Sequence, residues 1–214
     1  MIKQEKPQIH FLQETKCNSI YLDRIAAKVW PGSQVVAVDA SGASGGLAIL
    51  WDFRTIELNN IQANKNFLQV TFHITGTNIH GLLTNVYFPQ ETRNKIELLN
   101  TLSVINADRA HPLWINGGDF NMITKMEEKR GGRNKLDKES NNLKEYIQRN
   151  WLIDMPFNNE IYTWNNKRVG SHQIASRLDR FLISNNEIHL GGDLSASILP
   201  FLGSDHWPIS LQLS

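Results

Sequence analysis

Apolar residues in this chain gather in short runs, and most of the runs have the period of a strand. FLQVTFHI (67–74) alternates apolar and polar positions, as a half-buried strand does. GLAILW (46–51) is apolar almost throughout, which predicts a strand covered on both faces. Runs of the same kind are VVAVDA (35–40), IHGLLTNVYF (79–88), PLWINGG (112–118), RLDRFLIS (177–184) and PISLQL (208–213). In QIHFLQETKC (8–17), Ile9, Phe11 and Leu12 predict one more. Helical spacing is confined to three stretches. Residues 19–29 place Leu22, Ile25, Ala26 and Val29 on one face, with Ser19 as the N-cap. Residues 91–109 repeat Ile96, Leu99, Leu102 and Ile105, and residues 140–150 group Leu143, Tyr146 and Ile147. Many strands with few helices between them predict an α+β protein, with sheet packed on sheet and helices outside.

Composition adds limits to this picture. The 214 residues are 41% hydrophobic, enough to fill one core, and a single domain over 1–214 is the economical expectation. The formal net charge is +1, so the molecule has no overall field to draw in nucleic acid, and a polyanion has to be gripped locally. The single cysteine, Cys17, excludes an internal disulfide and reads as an ordinary free thiol in a reducing compartment. No apolar run approaches the ~18 residues of a membrane span. MIKQEKPQ lacks an apolar signal core, so the expectation is an intracellular protein, the nucleus included, with no membrane partner.

Candidate chemistry sits at strand ends, where a rigid scaffold presents reactive groups. Glu14 follows the first strand, and a merely solvated carboxylate is one reading of it. In WINGGDFNMI (114–123), Gly117 and Gly118 leave room for a ligand to approach the backbone. Asp119 and Asn121 follow two apart. They are able to activate and hold a water, or to close an Asx turn on their own backbone. Asp179 interrupts the run ASRLDRFLIS between Arg177 and Arg180, and charges there are costly unless paired. In GSDHWPIS (203–210), Asp205 precedes His206, the side-chain type best suited to proton exchange near neutrality. The other histidines (His10, His73, His80, His111, His172 and His189) have no metal-ligand spacing, which leaves a zinc site without support. Carboxylates without a thiolate cluster favour a hard cation, magnesium or manganese, and that set suits phosphodiester hydrolysis. The charged loop KMEEKRGGRNK (125–135) has two readings, a contact to a nucleic-acid backbone and a solvated loop.

Seven short segments, LQETK, GGLAILW, NVYFP, GGDFN, YTW, SRLDRFL and SDHWPI, run in this order from residue 12 to residue 209. In this order they resemble the endonuclease/exonuclease/phosphatase superfamily, the DNase I-like fold, and most closely the endonuclease domain of plant LINE-type retrotransposons. The resemblance implies a four-layered α/β/β/α sandwich and a magnesium- or manganese-dependent enzyme that nicks DNA; the sequence shows no sign of a protein partner, and a monomer is the expectation. The resemblance also implies a metal carboxylate in Glu14, with Asp205 by the metal or phosphate, and a water-orienting base in Asp119 with Asn121 holding the water or phosphate. His206 would bind the scissile phosphate, oriented by Asp179, and Tyr87 would contact the phosphate or leaving group. Asn85, Thr163 and Ser204 would line the substrate side of the site.

The family carries a Trp-Asn strand and a helix ahead of the Glu strand, and IKQEKPQ matches only the end of that helix. The sequence-level expectation is therefore a fold without its first strand and most of its first helix. Two alternatives follow, a catalytically inactive remnant of such a domain, and a lipid or nucleotide phosphoesterase on the same fold.

Overall fold

A computed structural model describes residues 5–42, 44–107, 113–133, 135–184, 193–200 and 203–213. The architecture is α+β, as the apolar runs predict. The chain divides into two compact units, residues 1–87 with 111–118, and residues 88–110 with 119–214.

In the first unit, β1 (Ile9–Gln13), β2 (Ser33–Val38) and β3 (Leu47–Asp52) form an antiparallel sheet in the order β1-β3-β2. Helix α1 (Ser19–Val29) covers one face of it, seating Leu22 and Ala26 against Ala48 and Leu50. Asn18, rather than Ser19, caps this helix. Its side chain accepts the Tyr21 N–H at 2.9 Å, while the Ser19 N–H goes to Asp39 Oδ1. Ile25 and Val29, expected inside, are 37% and 41% exposed, because only the narrow stripe through 22 and 26 faces the strands.

A second sheet of this unit runs β4 (Ile56–Ala63), β5 (Phe67–Ile74), β6 (His80–Tyr87) and β7 (Leu113–Asp119) in that order. β4 escaped the sequence reading. Its residues are mostly exposed, and its register slips between Asn59 and Gln62. Such a polar, bulged edge gives no clean alternation to read. The two sheets are joined by Asn85 on β6, which is fully buried. Its Nδ2 donates to Leu12 O and Ala48 O at 2.9 Å each, and its Oδ1 accepts from Gln13 Nε2. β3, between β1 and β2, is buried from Leu47 to Trp51, as a strand covered on both faces should be.

In the second unit, helices α2 (Thr92–Ala107) and α3 (Ser140–Arg149) meet through an Asn150 Nδ2 to Ser103 Oγ bond of 3.0 Å. The predicted tail of α2 at 108–109 lies outside the described residues. β8 (Lys129–Arg130), β10 (Trp164–Asn165) and β11 (Ala175–Ser176) make a small sheet in the order β10-β11-β8. β9 (Leu152–Asp154) pairs with β12 (Asp179–Ser184), and β13 (Leu194–Ile198) with β14 (Ile209–Leu213).

The charges that the sequence placed inside the strand of Asp179 are paired. Arg177 and Arg180 share Glu128 and Asp154, with N–O distances from 2.5 to 3.2 Å. Arg180 is wholly buried, and it also donates to Met122 O at 2.9 Å. Burial alone would raise the Glu128 carboxyl. The charge and hydrogen bonds of Arg180, helped by Thr124 N–H and Arg177, bring it down to about 2. The charged loop after Asn121 is therefore not simply solvated, since Glu128 in it is 1% exposed.

Candidate active site

Each unit presents part of the expected site. In the first, Glu14 leaves β1 with a positive φ of 50°, held by Thr15 N–H to Gly46 O and Lys16 N–H to Gly45 O. Its carboxylate accepts the Tyr87 hydroxyl at 2.7 Å, and its side chain stays 45% exposed. Glu14 and Tyr87 therefore meet. Asn85 does not line a rim. It is sealed in the interior, and the three bonds to Leu12, Ala48 and Gln13 use its amide.

Gly118 also differs from expectation. A Cβ there would lie 2.1 Å from Val86 O, and φ is +138°. The missing side chain lets β7 approach β6; it does not open room for a ligand.

The second unit holds the titratable centre. Asp119 ends β7 and is 5% exposed. Its Oδ1 accepts the Asn121 N–H at 2.8 Å, so the Asx turn is real. Asn121, with φ 50°, donates Nδ2 to Phe88 O at 2.7 Å and accepts Gln90 Nε2 at 2.8 Å. The buried Lys95 donates Nζ to Asn121 O at 2.8 Å. The turn thus serves to fix the Asp119 carboxylate, which its spacing alone could not tell.

Asp179 opens β12 and is 7% exposed. Thr163 was expected on the substrate side, but it is wholly buried. Its Oγ1 accepts both the Leu178 N–H at 3.0 Å and the Asp179 N–H at 2.9 Å, pinning the backbone of Asp179. Thr163 O accepts Trp207 N–H at 2.7 Å, so the same residue anchors the strand end beyond His206. Ser204 Oγ accepts the His206 N–H at 3.1 Å and closes a local turn.

His206 Nδ1 meets Asp179 Oδ2 at 2.9 Å. The ligand atoms of Asp119, Asp179 and His206 all lie within 4.8 Å of one another. Burial pulls the imidazole pKa down. The hydrogen bond to Asp179 and the charges of Asp179, Asp119 and Asp205 outweigh it and leave the ring at about 9. At neutral pH the centre therefore carries an imidazolium, with Nδ1–H committed to Asp179. Asp205 lies to its side. Burial raises its carboxyl, but the Trp164 indole N–H at 3.1 Å, its own backbone, His206 and Lys167 bring it below the usual range.

The structure brings together Asp119, Asp179, His206 and Asp205 in one unit, and Glu14 and Tyr87 in the other. Residues that the sequence reading missed are Glu128, Asp154 and Lys95. The two arginines flanking Asp179 in a buried strand were a sign that carboxylates had to come from elsewhere.

No family model matches the chain, and no curated protein matches it in sequence. Solved structures do match its fold. The endonuclease domain of TRAS1, a telomere-specific non-LTR retrotransposon, is 17% identical with a TM-score of 0.72, over 99% of this chain and 88% of that one. The 3′ phosphatase NExo from Neisseria, bound to a product DNA hairpin, is 15% identical with a TM-score of 0.73, over 100% and 91%. An endonuclease/exonuclease/phosphatase family protein from Bacteroides thetaiotaomicron is 15% identical with a TM-score of 0.71, over 100% and 85%. No helix among the described residues is long and apolar enough to cross a membrane. The chain therefore has the endonuclease/exonuclease/phosphatase fold.

Proposed function

We propose that the chain is a divalent-metal-dependent phosphodiesterase that nicks DNA, of retrotransposon origin. The observation that carries this reading is the His206–Asp179 pair at 2.9 Å, with the Asp119 carboxylate inside the same 4.8 Å group. An imidazolium held by one carboxylate beside a second, buried carboxylate suits attack by water on a phosphodiester.

In this reading Asp119 accepts the proton of the attacking water, and Asn121 keeps the Asp119 turn in place. The water oxygen bonds to phosphorus, the P–O3′ bond breaks, and a proton reaches O3′ to leave a 3′ hydroxyl. His206 places positive charge against the phosphoryl oxygen. Asp179 orients the ring, and Thr163 holds Asp179. Tyr87 contributes its hydroxyl to the phosphate or leaving group.

The donor chemistry fits a hard divalent ion, magnesium or manganese. The candidate carboxylate donor is Glu14, which is half exposed, or Asp205, whose carboxyl is held below the usual range. When bound, such an ion supplies Lewis-acid charge to the phosphoryl oxygens. His206 fits an ion less well, since its Nδ1 proton is already bonded to Asp179.

The test is conversion of supercoiled plasmid to the open circle, with magnesium and with EDTA, by this chain and its Asp119→Asn variant. Magnesium-dependent nicking lost in the variant is expected. A folded chain that leaves plasmid intact, or an Asp119→Asn variant that nicks equally well, overturns the proposal.

A further inference from the structure

Two histidines that are seven residues apart in sequence become neighbours in the first unit. On adjacent strands, Glu57 of β4 is the register partner of His73 on β5, and His73 is the register partner of His80 on β6. Residues paired in this way project from the same face of a sheet, with Cβ atoms about 4.5–5.5 Å apart. The three side chains therefore make a row, carboxylate, imidazole, imidazole, across three strands.

We propose that Glu57, His73 and His80 form a surface site for a zinc-class divalent cation. The ring hydrogen bonds set the tautomer of each histidine. His73 Nε2 lies 2.9 Å from Thr77 O, and His80 Nδ1 lies 2.9 Å from Asn78 O. A carbonyl oxygen only accepts, so each of these nitrogens carries the proton. In the neutral imidazole the other nitrogen, Nδ1 of His73 and Nε2 of His80, is then a lone pair. A backbone carbonyl that fixes the tautomer and leaves the opposite nitrogen bare is the outer-shell arrangement of metal-ligating histidines.

The third ligand is close. Glu57 Oε2 is 3.9 Å from His73 Nδ1. Two donors on a tetrahedral zinc, each bonded at 2.0–2.1 Å, are roughly 3.3 Å apart. The ligand atoms of the three residues are not gathered within 4.8 Å of one another in the resting arrangement. Glu57 is 62% exposed, His73 42%, and His80 is exposed, so side-chain rotation in solvent is what brings them onto one ion. Two imidazoles and one carboxylate leave a fourth position for water, and they select a borderline ion over magnesium. The turn after β5 brings Thr77 and Asn78 back to the rings that precede and follow it. The hairpin thus builds both imidazole ligands and their supports, with Glu57 added from β4, and no linear spacing in the sequence shows it.

The experiment is calorimetric titration of the full chain with zinc chloride, in excess magnesium. It uses the wild type and the His80→Ala, Glu57→Gln and His206→Ala variants. The expected result is one tight equivalent in the wild type. Affinity falls at least ~10-fold in His80→Ala and by less in Glu57→Gln, and is kept in His206→Ala. His80 is exposed at a strand end, so its removal leaves the core unchanged. The proposal is overturned if the wild type binds no zinc, if His80→Ala binds as tightly, or if the tight equivalent disappears with His206 instead.

Discussion

Replacing Asp179 by asparagine keeps the shape of the pair and removes its charge. His206 then loses the hydrogen bond to a carboxylate and the largest of the three charges that hold its pKa near 9. A rise from 6.5 to about 9 corresponds to roughly 3 kcal/mol of differential stabilisation. The ring is 30% exposed, and solvent screening reduces this to about 2 kcal/mol. A raised pKa on a base contributes fully where both states are protonated. The stabilisation is therefore complete below about pH 6.5 and fades as pH rises through about 9. Asp179→Asn should destabilise by about 2 kcal/mol at pH 6 and by much less at pH 10. Urea unfolding at the two pH values, in EDTA so that no ion competes, reads the difference directly. Titration of the His206 ring protons by NMR reads the cause. A wild-type ring that titrates near 6.5, or a loss that is the same at both pH values, would show that Asp179 does not hold the imidazolium.

Three other outcomes are expected. Glu128→Gln leaves two buried guanidinium groups short of a charge and should cost roughly 3–5 kcal/mol in chemical unfolding. In the wild type, a carboxyl held at about 2 gives stability that is present above about pH 4.5 and lost as pH falls through 2, so the variant should also lack this acid limb. Thr163→Val removes the acceptor for the buried Asp179 N–H and the part-buried Leu178 N–H. It should cost about 2–4 kcal/mol by urea unfolding and lower nicking more steeply than a distant substitution of equal cost. Gly118→Ala places a methyl 2.1 Å from Val86 O, so thermal unfolding should fall well below the wild type, while Gly170→Ala, with open space around it, should lose less.

Much of this fold could be read from the sequence, and the reason is local. FLQVTFHI became β5 with the predicted limits, and GLAILW became the buried strand β3, because alternation or continuous apolarity survives wherever a strand is covered. β4, β8, β10 and β11 did not show, being exposed, bulged or two residues long. Of the candidate site, the acidic residues and His206 could be found at strand ends because polar groups there break an apolar pattern. Asn85 and Thr163 came only from the family resemblance, and their work could not be read. Both serve backbone groups that are distant in sequence, Leu12 and Ala48 for one, Leu178 and Asp179 for the other. The His73–His80 pairing depends on strand register, which no spacing rule for metal ligands covers.

The quartet of the buried Arg177, Arg180 and Glu128 with the partly exposed Asp154 has a consequence for how this sequence can change over time. Removing any one member strands a charge in the interior, whereas removing all four together leaves a hydrophobic patch that can be as stable as the original. Single steps away from the quartet thus lead downhill in stability and only a concerted replacement leads back up. Drift at these four positions should be correlated, with chains keeping the whole set or none of it, and a homologue with three of the four should carry a compensating change nearby.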